Sequence, residues 1–321
     1  MPYKYEVSVI MPAYNSAKTI GRALKSLLEE QDFALPYEVI IELDPSKDDT
    51  LAIAKSFQAK HPELTIDAPE TRMGIGKSRF EGLMKVQGKY FYFMDADDYL
   101  SKDCLSSLYK GIEESGADCF NCSFYWIDSS KGKTRRFMFA RNAVLNHKQA
   151  FMAYFNDASM RGFCWSKIYS SEILKKRPLL CLGAPLDSQF EDAVLNCSLL
   201  HFSNKVAMSK KALYYYDHSQ GESAMSSKRN NRAFRHVVVF ALERYYLEQV
   251  ADSEALSAFK HRLFRSYLSI RYDLSLDKKS GADKAYVSKV KKCFSLLKNM
   301  SVPLKKEGSF FEEDANGAWK D

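Results

Sequence analysis

The feature that most constrains this chain is the alternation of strand-like and helix-like segments over its first hundred residues. Residues 7–11 (Val-Ser-Val-Ile-Met) read as a buried strand ended by Pro12. Ile20, Leu24, Leu27 and Leu28 follow at helical spacing, with Asn15 or Ser16 available as the N-cap. Residues 38–43 read as a second strand, 50–60 as a helix and 64–66 as a short third strand. Residues 77–87 read as a helix that Gly88 stops, and 90–94 as a fourth, aromatic strand. Strands and helices alternating in this way predict an α/β fold around a mostly parallel sheet with right-handed crossovers. In such sheets ligands bind outside the carboxyl ends of the strands. Asn15, Asp44, a loop holding Gly74 and Gly76, and the stretch from Asp95 to Asp98 all fall at that edge.

The fourth strand stops in three carboxylates within four positions, Asp95, Asp97 and Asp98. Like charges this close cost energy unless a cation neutralises them. Hard oxygen ligands on a short loop suit Mg²⁺ or Mn²⁺, ions that usually also hold substrate phosphates. The plainer reading is a solvated acidic turn leading into the next helix, with Ser101 as its N-cap.

Beyond it, the pattern predicts a helix over 101–115 stopped by Gly116, an aromatic strand over 117–127, and a hairpin turn at 129–133 leading to a strand over 135–139. Asn146 caps a short helix, 165–169 is strand-like, 190–200 is helical and 211–216 is a strand. From Asn231 the pattern is wholly helical, near 232–250, 253–274 and 283–299. The expected organisation is therefore one domain over 1–227, with halves over about 1–100 and about 101–227 that the family resemblance given below makes nucleotide-binding and acceptor halves of a catalytic domain, and a helical region over 228–321.

The net charge of +7 is local. Between Lys284 and Lys306 lie seven lysines and no acid, and the rest of the chain is neutral, which argues against a nucleic-acid partner. Val287, Val290, Phe294 and Leu297 share one face of the 283–299 helix, with lysines around the remainder. That face either contacts an anionic membrane peripherally or docks on the domain or on a second subunit, as in a homodimer. No apolar run approaches the roughly 18 residues of a membrane span. The seven cysteines are odd in number and scattered, and the lone Cys119-x-x-Cys122 reads as buried thiols rather than a zinc site. A reducing cytoplasm, with attachment to the inner face of the membrane as the second reading, is the expected location.

Several motifs, taken in order, resemble the family 2 glycosyltransferases, which have the GT-A nucleotide-sugar-binding, Rossmann-like fold. Residues 7–15 (Val-Ser-Val-Ile-Met-Pro-Ala-Tyr-Asn) are similar to the family's opening strand and loop. Residues 38–50 resemble its second strand and acidic turn, and Gly74 with Ser78-Arg79-Phe80-Glu81-Gly82 its glycine and Ala-Arg-Asn-x-Gly stretch. Asp95-Ala96-Asp97 looks like its DxD, while Trp165-Ser-Lys-Ile-Tyr169 and Glu191-Asp192 are similar to acceptor-side elements of many bacterial members. The likeness covers about residues 5–225.

It implies a metal-dependent, inverting transferase that moves a sugar from a nucleotide sugar, most simply a UDP-sugar, to a hydroxyl of a surface glycan or a lipid-linked acceptor. Pro12, Ala13, Tyr14 and Asn15 would line the nucleotide. Tyr14 either offers its face to the base or packs under the sheet edge, and Asp44 either accepts from a uracil imide N–H or caps its own turn. Here the chain departs from the family, whose Asp-Asp-Gly is replaced by Leu43-Asp44-Pro45, whose Asn is replaced by Phe80, and which commonly has Asn where Arg72 could reach phosphate. Arg79 either pairs with the diphosphate or locks the acidic loop. Asp95 and Ala96 would face the ribose, and Asp97 would bind Mn²⁺ or Mg²⁺, with His218 as a second metal contact or a mere surface residue and 223–227 as a lid. Asp192, opening a helix, would be the general base, with Glu191, Trp165 and Lys167 supporting the acceptor side.

Two rival enzyme classes fit less well. An aspartyl phosphatase would carry its Asp-x-Asp on the first strand, and a nucleotidyltransferase would want a basic, glycine-rich first loop that Met-Pro-Ala-Tyr-Asn does not supply. The non-enzyme alternative is a GT-A-fold protein that binds nucleotide sugar or glycan with altered catalysis.

Overall fold

The apolar runs become the inner strands of one sheet. The computed structural model describes residues 2–137, 142–156, 160, 162–176, 191–217 and 219, and scattered positions between 274 and 292. The chain divides into two units, residues 1–227 and 228–321. In the first unit β1 (Tyr5–Ala13), β2 (Tyr37–Leu43), β3 (Leu64–Asp67) and β4 (Gly88–Phe93) alternate with α1 (Ile20–Leu28), α2 (Thr50–Gln58) and α3 (Ile75–Met84). These four strands are parallel in the order β3-β2-β1-β4. The chain thus winds outward from β1 in one direction, then returns to its other side, and the crevice lies at the carboxyl ends of β1, β2 and β4.

Beyond β4 the sheet becomes mixed. β9 (Lys167–Ser170) inserts antiparallel between β4 and β6 (Cys119–Asp128), and β10 (Lys205–Asp217) pairs parallel with β6. The far edge of β10 is covered by β8 (Ala143–Asn146) along its first half and by the two-residue β5 (Tyr99–Leu100) along its second, while β7 (Lys133–Phe137) forms a hairpin with β6. The parallel character predicted for the sheet therefore holds throughout its first four strands, where helical crossovers impose it, and recurs later in the β6–β10 pair. Later strands, joined without a crossover helix between each pair, are free to reverse. α4 (Cys104–Ser115), α5 (His147–Asn156), α6 (Glu172–Lys175) and α7 (Glu191–His201) complete the described elements of this unit.

Four local expectations meet a different outcome. Pro12 does not end β1, which continues to Ala13. The carbonyl of Ile10 accepts from Met94 N and that of Ala13 from Asp44 N, so Pro12, in phase with Ile10, turns its donorless nitrogen to the side where pairing with β4 has ended. Asn15 caps nothing: it sits at φ 47° and accepts from Lys47 N through Oδ1, and α1 begins only at Ile20. Ser101 likewise donates to the Asp103 carboxylate while α4 starts at Cys104. Gly88 is not a helix stop, since α3 ends at Met84 and Gly88 opens β4. A Cβ there would lie 2.6 Å from Ser8 N, so the residue is a glycine for close approach of two backbones.

Other signals act as expected. Gly116 closes α4 at φ 57°, and Asn146 caps α5 in a reciprocal pair, Oδ1 accepting from Gln149 N while Gln149 Oε1 accepts from Asn146 N. Cys119 and Cys122 are buried thiols that burial pushes up to about 12. The helices expected near 232–250, 253–274 and 283–299, with the basic segment 284–306, fall almost wholly outside the described residues. At positions 284, 287–288 and 290–292 the backbone is helical, and Val290 is buried. Among the described residues no helix is long and apolar enough to cross a membrane.

The two glycine environments predict opposite effects of alanine. Gly88→Ala must push two backbones apart and should cost about 1–3 kcal/mol or more. Gly21→Ala, on α1, places its methyl 3.8 Å from Ile53 Cγ2 and should gain about 0.5–1 kcal/mol. Urea unfolding of the two variants checks both signs.

Candidate active site

The carboxyl ends of β1 and β2 are knitted together first. Asp44, just past β2, accepts from Met73 N through Oδ1 and from Gly74 N through Oδ2, both at 2.8 Å, and so draws the glycine loop onto the sheet edge. Gly74 sits at φ 83°, a conformation that requires its lack of a side chain. Arg72 lies on the same loop with its guanidinium 3.9 Å from the centre of the Tyr14 ring and its Nε 3.9 Å from Asp44 Oδ2. Asn15 donates from its backbone N to Ser46 Oγ, and Ala17 N donates to Asp48, closing the loop after β1 against the loop after β2. Pro12 and Ala13 are buried at the end of β1. Tyr14 thus carries an arginine on one face, and Asp44 is occupied chiefly by backbone.

The acidic loop after β4 is held from three directions. Arg79, on α3 and only 3 % exposed, donates through Nη2 to Asp95 Oδ1 at 2.7 Å and through Nη1 to Glu191 Oε1. Tyr214, on β10, accepts from Asp95 N and donates to Asp98 Oδ2 at 2.6 Å, and Asp217 N donates to Asp98 Oδ1 at 2.8 Å. Arg22, on α1, donates to the Asp97 carbonyl at 2.8 Å and pairs with Asp217 at 2.9 Å, its guanidinium 4.6 Å over the Tyr99 ring. Ala96 is buried between these restraints.

One oxygen from each of Asp95, Asp97 and Asp98 lies within 4.8 Å of the others. Their chemistry follows from crowding. Burial, then Asp95, pushes the Asp97 carboxyl up to about 6, and burial, then Asp97 and Asp95, pushes Asp98 well above the usual carboxylate range. By contrast Asp217, although burial opposes it, is held down at about 2 by the hydroxyls of Ser129 and Ser219, the Ser219 N–H and Arg22. Asp98, its two oxygens already satisfied by Tyr214 and Asp217, is a support of the loop, whereas Asp97 and the second oxygen of Asp95 have no side-chain partner among the described residues. A hard divalent cation fits this donor set, because it would reverse the penalty that now raises the Asp97 pKa.

The acceptor side is built on the first turn of α7. Glu191 is buried against Arg79, and burial, opposed by Arg79 and reinforced by Asp192, pushes it up to about 7. The Asp192 side chain is half-buried, and its carbonyl accepts from Asn196 Nδ2 at 2.8 Å and from Cys164 Sγ at 3.6 Å. Asn196 also donates to Gly162 O and accepts from the Tyr169 hydroxyl at 2.7 Å, which fastens α7 to β9 and the turn before it. Trp165 is a buried ring, parallel to Phe163 and Tyr214 at 4.6 and 4.4 Å. Lys167 is buried too, its Nζ donating to Phe163 O at 2.8 Å, and burial lowers its pKa. Both brace the turn from beneath.

The fold therefore gathers Asp95, Asp97, Arg79, Glu191 and Asp192 from three separate stretches of sequence. Tyr14, Asn15, Asp44 and Arg72 form a second group at the same sheet edge. Arg79 is engaged by two protein carboxylates, so in this structure it locks the acidic loop. His218 and the 223–227 segment lie outside the described residues. Sequence reasoning missed Arg22, Tyr214, Asp217 and Asn196. Arg22 left one trace, a lone charge between the buried Ile20 and Ala23 of α1. Tyr214 and Asp217 were hidden in an aromatic run that reads simply as strand.

Residues 8–176 match the family described as Glycosyl transferase family 2. The chain belongs to that family. Relatives include the poly(ribitol-phosphate) beta-N-acetylglucosaminyltransferase TarS of Staphylococcus aureus, 26 % identical over 270 residues that are 84 % of this chain and 44 % of TarS. Glycosyltransferase GlyA of Streptococcus pneumoniae is 26 % identical over 66 % of this chain and 30 % of its own length, so the chain spans under half of either relative. The cholesterol galactosyltransferase of Borreliella burgdorferi is 27 % identical over 70 % of this chain and 63 % of its own. Among solved structures, S. aureus TarS 1–349 in complex with UDP-GlcNAc superposes with a TM-score of 0.61 at 20 % identity, covering 91 % of each chain. A mannosyltransferase from Pyrobaculum calidifontis, in complex with GDP-Man and Mn²⁺, gives 0.51 at 17 % identity over 94 % of this chain and 91 % of its own. These likenesses establish the GT-A fold.

The raised Asp97 and Glu191 values have a stability consequence with a definite sign. An acid whose folded pKa lies above its unfolded one stabilises the fold below the unfolded pKa, and that contribution is lost as pH rises through the folded pKa. Without divalent metal the melting temperature should therefore carry a downward contribution from pH 4 to about 7, the Asp97 part ending near 6. Asp97→Asn should flatten the part between pH 4 and 6 and raise the metal-free melting temperature at neutral pH. Thermal unfolding of both proteins in EDTA across pH 4–8 measures it.

Proposed function

We propose that this chain is a metal-dependent, inverting glycosyltransferase that moves a sugar from a UDP-sugar to a hydroxyl of a surface glycan or lipid-linked acceptor. One observation carries the reading: a single buried guanidinium, that of Arg79, joins the acidic loop at Asp95 to the acid pair of α7 at Glu191. That link supports a donor side and an acceptor side meeting at one place. Family membership supports the reaction class, and the TarS complex with UDP-GlcNAc supports uridine and a nucleotide sugar. The Mn²⁺ complex of the mannosyltransferase supports a divalent ion.

In this reading Asp97, with Asp95, would hold Mn²⁺ or Mg²⁺, which when bound supplies Lewis-acid stabilisation of the departing diphosphate. Asp192 accepts the proton of the acceptor hydroxyl. As that oxygen bonds to the anomeric carbon from one side, the bond to the diphosphate oxygen breaks on the other, so the configuration inverts. Glu191 and Arg79 hold the first turn of α7 so that Asp192 faces the donor. Asp44 keeps a free lone pair on each oxygen beyond those used by Met73 and Gly74, enough to accept a uracil imide N–H beside Tyr14.

Asp97→Ala should abolish both the metal dependence of UDP binding and nearly all transfer while the protein stays folded. Asp192→Asn should cut transfer by roughly 10²–10⁴ with donor affinity kept within a few-fold. A thermal-shift panel of UDP-, GDP-, CMP- and dTDP-sugars with and without Mn²⁺ identifies the donor, followed by release of nucleotide in the presence of acceptor. Full activity of Asp97→Ala, or of the wild type in EDTA, refutes the metal site. Full activity of Asp192→Asn moves the base elsewhere.

A further inference from the structure

The ring stack behind the site has an outer member that none of the roles above uses. Trp165, the residue the family resemblance places on the acceptor side, is only 3 % exposed and is packed between Phe163 and Tyr214. A ring so covered has no face left for a substrate. Tyr216 stands next to it, parallel to Trp165 within 12° at 5.4 Å and to Phe163 within 21° at 6.4 Å, and it is not fully buried.

Its place on β10 gives this ring a chemical address. Tyr214 and Tyr216 are two residues apart on one strand, so their side chains leave the same face of the sheet, Tyr216 one step nearer the strand end. Tyr214 touches Asp95 N and Asp98, and Asp217, directly after Tyr216, donates to Asp98. On the other side, Cys164, directly before Trp165, donates to the carbonyl of Asp192. The stack therefore spans from the acidic loop to the start of α7, and Tyr216 is its ring at the site. Burial, then the charges of Asp98, Asp97, Asp95 and Asp192, hold its phenol up at about 12, so it stays a neutral O–H donor.

We infer that Tyr216 is the platform for the pyranose ring of the donor. This rests on the transferase reading, in which the diphosphate lies at Asp97, the acceptor proton goes to Asp192, and the transferred sugar lies between them. A pyranose offers a face of C–H bonds ringed by hydroxyls, and an amphipathic ring with an apolar body and polar tip meets both. Tyr216 packs against the C–H face, while its hydroxyl is free to donate to a sugar oxygen. Trp165 and Phe163 fix the plane of the platform and do not themselves touch sugar.

The test separates the sugar from the nucleotide. Calorimetric titration of wild type, Tyr216→Phe and Tyr216→Ala with UDP, UDP-glucose and UDP-N-acetylglucosamine, all with MnCl₂, gives the ratio of UDP-sugar affinity to UDP affinity for each protein. In Tyr216→Ala that ratio should fall by about 3- to 10-fold with UDP affinity unchanged, and in Tyr216→Phe most of it should return. An unchanged ratio in Tyr216→Ala, or an equal loss for UDP and UDP-sugar, overturns the platform while leaving the transferase reading intact. Wild-type protein that binds none of the three ligands overturns both.

Discussion

The structure of the site depends on a charge placed where water cannot reach it. Arg79 is buried, and an isolated guanidinium there would be prohibitively costly. It is tolerated because Asp95 and Glu191 each take one end of its fork. The dependence is mutual. Burial pushes Glu191 upward, and Arg79 is the chief influence holding it down. Removing any one of the three would leave the others buried with unbalanced charge, a loss far larger than the net worth of the pairs themselves. The triad thus acts as a geometric constraint between α3, the loop after β4 and the start of α7.

A second set of restraints fixes the same loop from the other end of the sheet. The loop leaves β4 in the middle of the sheet and is recaptured at its far edge, where β5 pairs with Tyr214 and Tyr215 of β10. Tyr214, Asp217 and Arg22 then fasten Asp95, Asp98 and the Asp97 carbonyl individually. Every backbone direction in the loop is set by rigid elements, and the carboxyl of Asp97 is the one that the described contacts leave least committed. This is how a short acidic turn becomes a site with defined geometry rather than a solvated bend.

How much of this could be read from sequence follows from the range of the forces involved. The parallel half of the sheet, the helix stop at Gly116 and the cap at Asn146 rest on local periodicity and turn chemistry, and they were legible. Asp95, Asp97, Glu191 and Asp192 were legible through their order along the chain. The lock of Arg79 on the acidic loop, 16 residues away, was one of two readings open for it, but its link to Glu191, 112 residues on, was not legible. Gly88 was read as a helix stop because a glycine needed for close backbone approach looks the same in sequence as one needed for positive φ. Trp165 and Lys167 were read as supporting the acceptor side; that both are buried, with β9 lying between two strands, only packing could reveal. Arg72 was read toward phosphate, and in the structure it lies over Tyr14 instead.

The electrostatics also argue for an order of events. Around the loop and the start of α7, the carboxyls of Asp95, Asp97, Asp98, Glu191, Asp192 and Asp217 outnumber the described cations beside them, the guanidiniums of Arg79 and Arg22 and the buried Lys167. The raised values of Asp97, Asp98 and Glu191 express that excess: the fold keeps protons where it lacks positive charge. A nucleoside diphosphate entering alone would bring further negative charge to the same place. Arg79 cannot meet it, since both ends of its fork are taken. On the metal-dependent transferase reading proposed above, a divalent cation from solution would offset the diphosphate, and metal and nucleotide would bind as a unit, each weakly without the other. A family member whose arginine was free for phosphate would not need this coupling to the same degree.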